Sequence, residues 1–395
     1  MMPDKHNLSV LSYLTHSIPN FEEKSGKYWV QYGDDDMYPY FLQDLYASSS
    51  IHNAIVKGTA DMIYGNGLSA SNKDEHVDQW LEIVKLIGDG ECLKRAAFDI
   101  KLYGHCYFNV IWSVDRSRPA ELHHIPAADV RAGIADSEDA PLLYYLHENW
   151  SKASGQPTQP IPAFSTDDRT AASQILHVRM YSPMNNYYAV PDYIGSTNYI
   201  ELDRDISEFH LNNIKNGLFP SMMLTFNNGI PTDEERQDME RAIYAKFSGA
   251  SNAGKILINW NDNAEDAPKV DPFNLTDPHK MYDYLSEQVV QRILSGHRVT
   301  SPLLFGLRTE GGGFGSNSQE MRDAYDLYLN TAVKPFQDAI MKGLRPVFSA
   351  SSITLELQFD KLIPARFLDS DAEEEKKMFS EKKKSESPKV RAMCG

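Results

Sequence analysis

Cysteine is scarce and poorly spaced for chemistry. The chain holds three, Cys92, Cys106 and Cys394, which form no even framework and match neither C-x-x-C redox spacing nor a zinc-ligand pattern. They read as reduced thiols. Long apolar runs are lacking as well, since no stretch approaches the roughly eighteen uninterrupted apolar residues of a membrane span. The opening residues, MMPDKHNLSVLSYL, do not have the basic-then-apolar order of a secretory signal. The expectation is a protein that is cytosolic when made and has no membrane partner. Positive charge is in deficit, with 39 Lys and Arg against 55 Asp and Glu, a formal net charge of −16. Proteins that grip nucleic acid along a broad face do so by replacing counterions with Lys and Arg, so this balance argues against such a face. A polyanion could still pass through as cargo, because a channel that lets it slide is better lined by weakly attractive or repulsive groups.

What is present is enough to fold. Over 395 residues an apolar fraction of 42% supports ordinary cores in two or three modules. The first thirty residues read as a loosely ordered arm ending in KYWVQYGDDDMYP. Helical spacing begins at Pro39 and resumes after Ser48–Ser50, with Ile51, Ile55, Met62 and Ile63 near one face until Gly65 and Gly67 stop it. A second amphipathic run, His76 to Leu86, carries Val77, Trp80, Leu81 and Val84 at helical spacing. A third, Glu91 to Tyr103, ends at Gly104.

The pattern then changes to period two: HCYFNVIWSV alternates Cys106, Phe108, Val110 and Trp112 on one side of a strand. ELHHI, LLYYLHE and QILHVRM are further strands, and the Pro- and Ser-rich stretch between the last two reads as a long surface loop. Helical spacing returns from Pro191, with Tyr199, Leu202, Ile206 and Phe209 repeating until Asn216-Gly217. A small unit follows: strand SMMLTF, a turn at Asn228-Gly229, a helix opened by a Thr232/Glu235 capping box, and strand KILINW. A long helix from about Asp277 to His297 places Met281, Tyr284, Leu285, Val289, Ile293 and Leu294 together. Pro302 and Gly311–Gly313 forbid its continuation. A second long helix carries Met321, Tyr325, Tyr328, Leu329, Ala332, Phe336 and Ile340, with Pro335 inside it predicting a kink. Strand ITLELQF and a charged tail close the chain. The class is α+β.

A search for chemistry assigns no catalytic, cofactor or metal residues. Gly249 to Lys255 satisfies G-x-x-x-x-G-K, but Ile256 stands where a nucleotide loop needs Ser or Thr for magnesium. The context is also inverted, because a helix precedes the glycines and a strand follows, whereas the anion should face a helix N-terminus. His123 and His124 are adjacent in a strand and point to opposite faces. No G-x-S-x-G elbow is present, and the Asp34–Asp36 run has no second acidic cluster to build a two-metal site.

Several segments in order resemble the phage portal proteins, the head-to-tail connectors of tailed bacteriophages. Tyr103-Gly104-His105-Cys106-Tyr107 is similar to their YGNAY-like helix-to-strand turn. Ile175 to Arg179 followed by Tyr187 to Tyr193 resembles their H-x-R and G-x-P approach to a long helix, and Asn216 to Pro220 their NG-x-x-P. Asn252-Ala253-Gly254-Lys255 is similar to their NAGK, and Val299 to Gly306 to their V-P-P-x-L-L-G. Asn317 to Glu320, followed by a Pro-containing long helix, resembles their passage toward the crown. Thr300-Ser301 replaces the first proline, His105-Cys106 replaces Asn-Ala, and the C-terminal crown is short.

The resemblance implies a portal fold with an α/β wing, a two-helix stem, a small α/β clip, a tunnel loop and a short helical crown. The divisions would be an N-terminal arm 1–38, wing 39–190, stem helix 191–217, clip 218–275 and stem helix 276–298. They would continue with a tunnel-loop region 299–318, a long kinked helix 319–348 toward the crown, a wing strand 349–368, and a crown helix with a disordered tail 369–395. It further implies a homo-oligomeric ring, usually of twelve subunits, at one capsid vertex of the virion, assembled in the bacterial cytoplasm. Double-stranded DNA would pass through it. The large terminase subunit, the head–tail adaptor, and the major capsid and scaffolding proteins would be its partners.

Gly306, Arg308, Glu310, Gly311, Gly312, Gly313, Phe314 and Gly315 would form the tunnel loop. Leu202, Ile206, Phe209, Tyr284, Leu285, Val289 and Ile293 would meet neighbouring copies along the stem. Asn228, Gly229, Asn252, Gly254 and Lys255 would belong to the clip. The rival readings are an NTP-dependent DNA-handling enzyme using the Gly249–Lys255 loop and a head-completion or tail protein without a DNA bore.

Overall fold

The computed structural model of the protein describes residues 19, 21, 23–24, 27–135, 141–152, 159–183, 187–216, 222–226, 231–247, 256–260, 278–307 and 318–362. The chain forms two compact units, one of Met1–Thr197 with Ile293–Gly395 and the other of Asn198–Arg292.

The first unit opens with helices α1 (Tyr38–Ser48) and α2 (Ser50–Tyr64), divided at Ser49, whose hydroxyl accepts from His52 N and caps α2. After β1 (Leu68–Ala70) come α3 (Val77–Ile87) and α4 (Glu91–Tyr103). α4 stops at Gly104, whose φ of +84° only glycine adopts without strain. The chain reverses there into β2 (His105–Trp112), the centre of an antiparallel sheet with β3 (Pro119–Ile125) and β7 (Ser173–Arg179) on either side. β4 (Val130–Ala132), β5 (Leu143–Leu146) and β6 (Ile161–Pro162) make a second antiparallel sheet. Cys106, Phe108, Val110 and Trp112 are buried as the alternation requires. Tyr107 is buried as well, because the other face of β2 is also covered.

A long helical stretch lies across this core. It runs as α8 (Ser318–Tyr328), a π-helical turn (Leu329–Val333) and α9 (Lys334–Ala350), followed by β10 (Leu357–Phe359) paired antiparallel with β1. The irregularity expected at Pro335 takes the form of that π-turn. Proline cannot donate a backbone hydrogen bond, so the helix widens just before it, and Lys334 N bonds to Leu329 O. Tyr328, Phe336, Ile340, Leu344 and Val347 face inward with Ile63, Leu93, Ile100 and Phe108.

In the second unit, α5 (Thr197–Asn216) leads to β8 (Met222–Phe226), α6 (Asp233–Phe247), β9 (Ile256–Trp260) and α7 (Pro278–Gly296). β8 and β9 pair in parallel with α6 as their crossover. The capping box is formed: Thr232 N donates to Glu235 Oε2 at 3.0 Å, and Glu235 N to Thr232 Oγ1 at 3.5 Å.

The apolar stripe of α3 is divided: Val77 at 53%, Leu81 at 50% and Val84 at 40% are exposed, Trp80 packs partly buried against the core, and Ile83 and Leu86 beside the stripe are buried. The helix has apolar residues on two sides, and spacing alone does not choose between them. The arm does not extend to residue 38, because Trp29, Val30 and Tyr32 are core residues and Val30 N bonds to Ala132 O. Asp36 from the acidic run is the buried counter-ion of Arg131, 2.5 Å from its Nε. The final strand pairs only over Leu357–Phe359, since β1 opposite it has three residues. Within the long loop after β5, β6 pairs with β5, and Gln174 Nε2 holds Asp168 O at 2.7 Å.

Candidate functional site

Residues 299–307 lead up to the glycine-rich segment 308–317 and form one foot beside it. Ser301 is extended, Pro302–Phe305 make one 3-10 turn, and Gly306 ends it at φ +71°. Leu307 N closes back on Pro302 O at 3.1 Å. Phe305 is seated against α2 at Gly58, where an added Cβ would stand 2.7 Å from the ring, and meets Tyr328 edge-on with centroids 5.4 Å apart. Thr300 Oγ1 donates to Ala324 O of α8 at 2.6 Å. On the far side of the glycines α8 starts at Ser318. Of these two ends, the one at 299–307 is held by packing on α2 and by the Thr300 hydrogen bond to α8. Of the residues expected in the loop, Gly306 is exposed at the foot, while Arg308, Glu310, Gly311, Gly312, Gly313, Phe314 and Gly315 lie outside the described residues.

Beneath the foot is a buried polar junction that the sequence reading missed. Lys101 of α4 has no exposed side-chain surface and places Nζ 2.8 Å from Asp192 Oδ1. Its ammonium also lies over the rings of Tyr193, at 5.6 Å, and Phe336, at 5.5 Å. Burial pulls the Lys101 pKa down, and the adjacent Asp192 carboxylate opposes that fall. Asp192 Oδ2 accepts from Arg298 Nη2 at 3.0 Å, and Arg298 Nη1 donates to Thr331 O at 3.3 Å. Thr59 and Tyr328 share a hydroxyl contact of 2.7 Å, and Tyr193 donates to Leu102 O at 2.7 Å. At Gly296 the end of α7 passes so close to Ser196 that an added Cβ would fall 2.0 Å from its hydroxyl. The junction gathers residues from α2, α4, the turn before α5, the end of α7 and the π-turn. One hint was available: Lys101 recurs on the same face of α4 as Leu93, Ala97 and Ile100, a polar residue inside an apolar stripe.

Two histidine pairs are buried in this unit. His52 Nδ1 and His297 Nε2 are 2.9 Å apart, as are His105 Nδ1 and His177 Nε2, and Tyr32 Oη lies 2.8 Å from His105 Nε2. Burial, aided by Lys101, lowers the pKa of His52 to about 3. Burial, aided by Arg131 and Arg179, does the same to His105. His177 and His297 are held well below the usual value, again first by burial. The folded protein binds fewer protons at these groups than the unfolded chain, so their contribution is intact above about pH 6.5 and is lost as pH falls toward 3. The denaturation midpoint is therefore expected to drop between pH 7 and pH 5, before most carboxylates titrate, with up to about 1.4 kcal/mol lost per pH unit per histidine. A midpoint constant over that range would contradict this.

The expected stem contacts divide by position. Leu202, Ile206 and Leu285 are half-buried, and Phe209 and Tyr284 are exposed at 42% and 64%. Val289 and Ile293, expected between copies, are instead buried within the protomer. Arg292 lies over Tyr199 at 6.0 Å. The clip residues Asn228, Gly229, Asn252, Gly254 and Lys255 are outside the described residues. The elements around the Gly249–Lys255 segment are nevertheless α6 before it and β9 after it. That order gives no helix N-terminus to an anion held there. Among the described residues no group of three or more His, Cys, Asp or Glu is placed to hold a metal ion, and no helix is long and apolar enough to cross a membrane.

The fold and the junction define a mixed α+β scaffold whose buried polar groups are engaged mainly with one another. The family model described as phage portal protein matches residues 88–381, and the chain belongs to that family. A probable portal protein of Haemophilus phage HP1 (strain HP1c1) is 26% identical over 176 residues, 45% of this chain and 50% of that protein. A protein of Rickettsia bellii (strain RML369-C), named only as uncharacterized, is 26% identical over 267 residues, 66% of this chain and 63% of its own length. The matched region thus spans between half and two thirds of these relatives. Among solved structures, a chain in the virion of a native gene transfer agent particle superposes with a TM-score of 0.55 at 15% identity, covering 90% of this chain and 91% of that one. A chain in the neck of the native particle, computed with C12 symmetry, gives 0.53 at 16% identity, covering 85% and 87%. These likenesses show a shared fold.

Proposed function

We propose that copies of this chain close into a ring, of twelve subunits, at one vertex of a phage capsid, and that the ring is the channel for double-stranded DNA during packaging and ejection. Family membership over residues 88–381 carries the reading. The foot at 299–307 supports it locally: a collar pressed by a moving duplex needs rigid ends, and here one end is held by Phe305 at Gly58 and by Thr300 on α8. The action is steric and electrostatic, with no chemical step. Glycines 311–313 and 315 remove side-chain obstruction from the bore, and Arg308 and Glu310 would meet the duplex. A ring of subunits each carrying −16 repels a polyanion on average and so lets it slide.

In this reading Asn198–Arg292 holds the clip, where the large terminase subunit and later the head–tail adaptor would dock. Capsid and scaffolding proteins would meet the outside of the ring. A closed ring needs two different surfaces of each protomer to meet. Phe209 and Tyr284 on the stem, and Val77, Leu81 and Val84 on α3, are apolar surface that a neighbouring copy would cover.

The deciding experiment shortens Gly311–Gly315 to two residues and measures packaged DNA in assembled particles. Rings of unchanged size with packaged or retained DNA reduced at least tenfold are expected. Unchanged packaging would remove the loop from the mechanism.

A further inference from the structure

Pro335 has no N–H, so the carbonyl four residues before it, Thr331 O, lacks the donor an α-helix would supply. A donor to this carbonyl comes from another segment of the chain: Arg298 Nη1 donates to Thr331 O at 3.3 Å, while Nη2 donates to Asp192 Oδ2 at 3.0 Å. Arg298 lies two residues beyond the end of α7, the helix that brings the chain back from the second unit. Its backbone is left-handed, with φ +55°. Glycine would take that conformation freely, and a long cationic side chain does not favour it. The guanidinium fork suits the task, since its two nitrogens serve two acceptors at once.

We propose that Arg298 is a positioning residue that joins the end of α7 to the π-turn of the long helix, so that the two shift together. The tie rests at its other end on Asp192, which Lys101 holds from the core at 2.8 Å. A displacement at the end of α7 would then reach α8, the helix that begins directly after the glycine-rich segment in the sequence. The consequence for DNA rests on the channel reading above; the coupling itself does not.

The test is hydrogen–deuterium exchange on the assembled full-length protein. Arg298→Gly relieves the backbone conformation and removes only the fork. Exchange of the amides of 329–334 should rise roughly five- to tenfold, the worth of a partly exposed charged hydrogen bond, with exchange in β2 unchanged. Pro335→Ala supplies the N–H that lets the turn return to the α register, in which residue 335 donates to Thr331 O, so the double variant Arg298→Gly/Pro335→Ala should return 329–334 to within about twofold of the parent. Arg298→Lys, which can reach one acceptor but not both in a fixed fork, should fall between. An unchanged π-turn in Arg298→Gly, or the absence of rescue by Pro335→Ala, would overturn the proposal. Packaging assays on the same variants separate the two ideas. If the loop-shortened protein packages normally, the channel reading fails, while the exchange result still decides the coupling.

Discussion

Asp192→Ala is expected to be among the most damaging single changes in the protein, at about 3–5 kcal/mol. Asp192 faces two cations, and they are not equivalent. Arg298 keeps 47% of its side chain in solvent and loses little when its partner is removed. Lys101 has no exposed side-chain surface, so the same substitution leaves its ammonium buried with only the rings of Tyr193 and Phe336 beside it. Lys101→Met should cost less, because the abandoned carboxylate still has Arg298 and is itself 14% exposed. The double variant Lys101→Met/Asp192→Ala should recover much of the loss, since a buried ion pair replaced by apolar groups is often near neutral. Thermal or chemical unfolding of the three variants checks the order. A loss below about 1 kcal/mol for Asp192→Ala would mean that the ammonium is solvated in a way the geometry does not allow.

Gly104→Val should come close to it, at roughly 2–5 kcal/mol. Gly104 has a φ of +84°, and a Cβ built there lies 2.3 Å from Val190 O and 2.8 Å from its carbonyl carbon. Both neighbours are backbone, which cannot rotate away as a side chain would. The position fixes the reversal from α4 into β2 and, through Val190, the approach to α5. Its failure would therefore also displace Asp192, two residues on, and reach the junction. Gly104→Ala should show most of the effect already, since the left-handed backbone and the first carbon are the problem. A near-neutral Gly104→Ala in a denaturation series would contradict this packing.

The Gly104 reversal was readable from the sequence, as were the capping box at Thr232 and the βαβ order around α6, because each depends on residues close together in the chain. The face chosen by α3 was not. Ile83 and Leu86 compete with Val77, Leu81 and Val84, and only the sheet beneath decides which side is covered. Strands β1, β4 and β6 have two or three residues each, too few for a period to register. In the last strand the burial of Ile353, Leu355 and Phe359 alternates as predicted, but a ladder forms only where β1 is present to pair. The junction was invisible for a different reason. Thr59, Lys101, Asp192, Arg298 and Thr331 come from five separate segments, and no local pattern announces that they meet. The missing donor of Pro335 was legible; the side chain that answers it was not.

Whether copies of this chain enclose a bore is read from the mass and image of the purified assembly. Mass photometry at micromolar concentration, with class averages by electron microscopy, should show one closed ring near twelve chain masses. Its central opening should be wide enough to admit a duplex. A population that stays monomeric, or a ring whose opening cannot admit a duplex, would contradict the proposed channel.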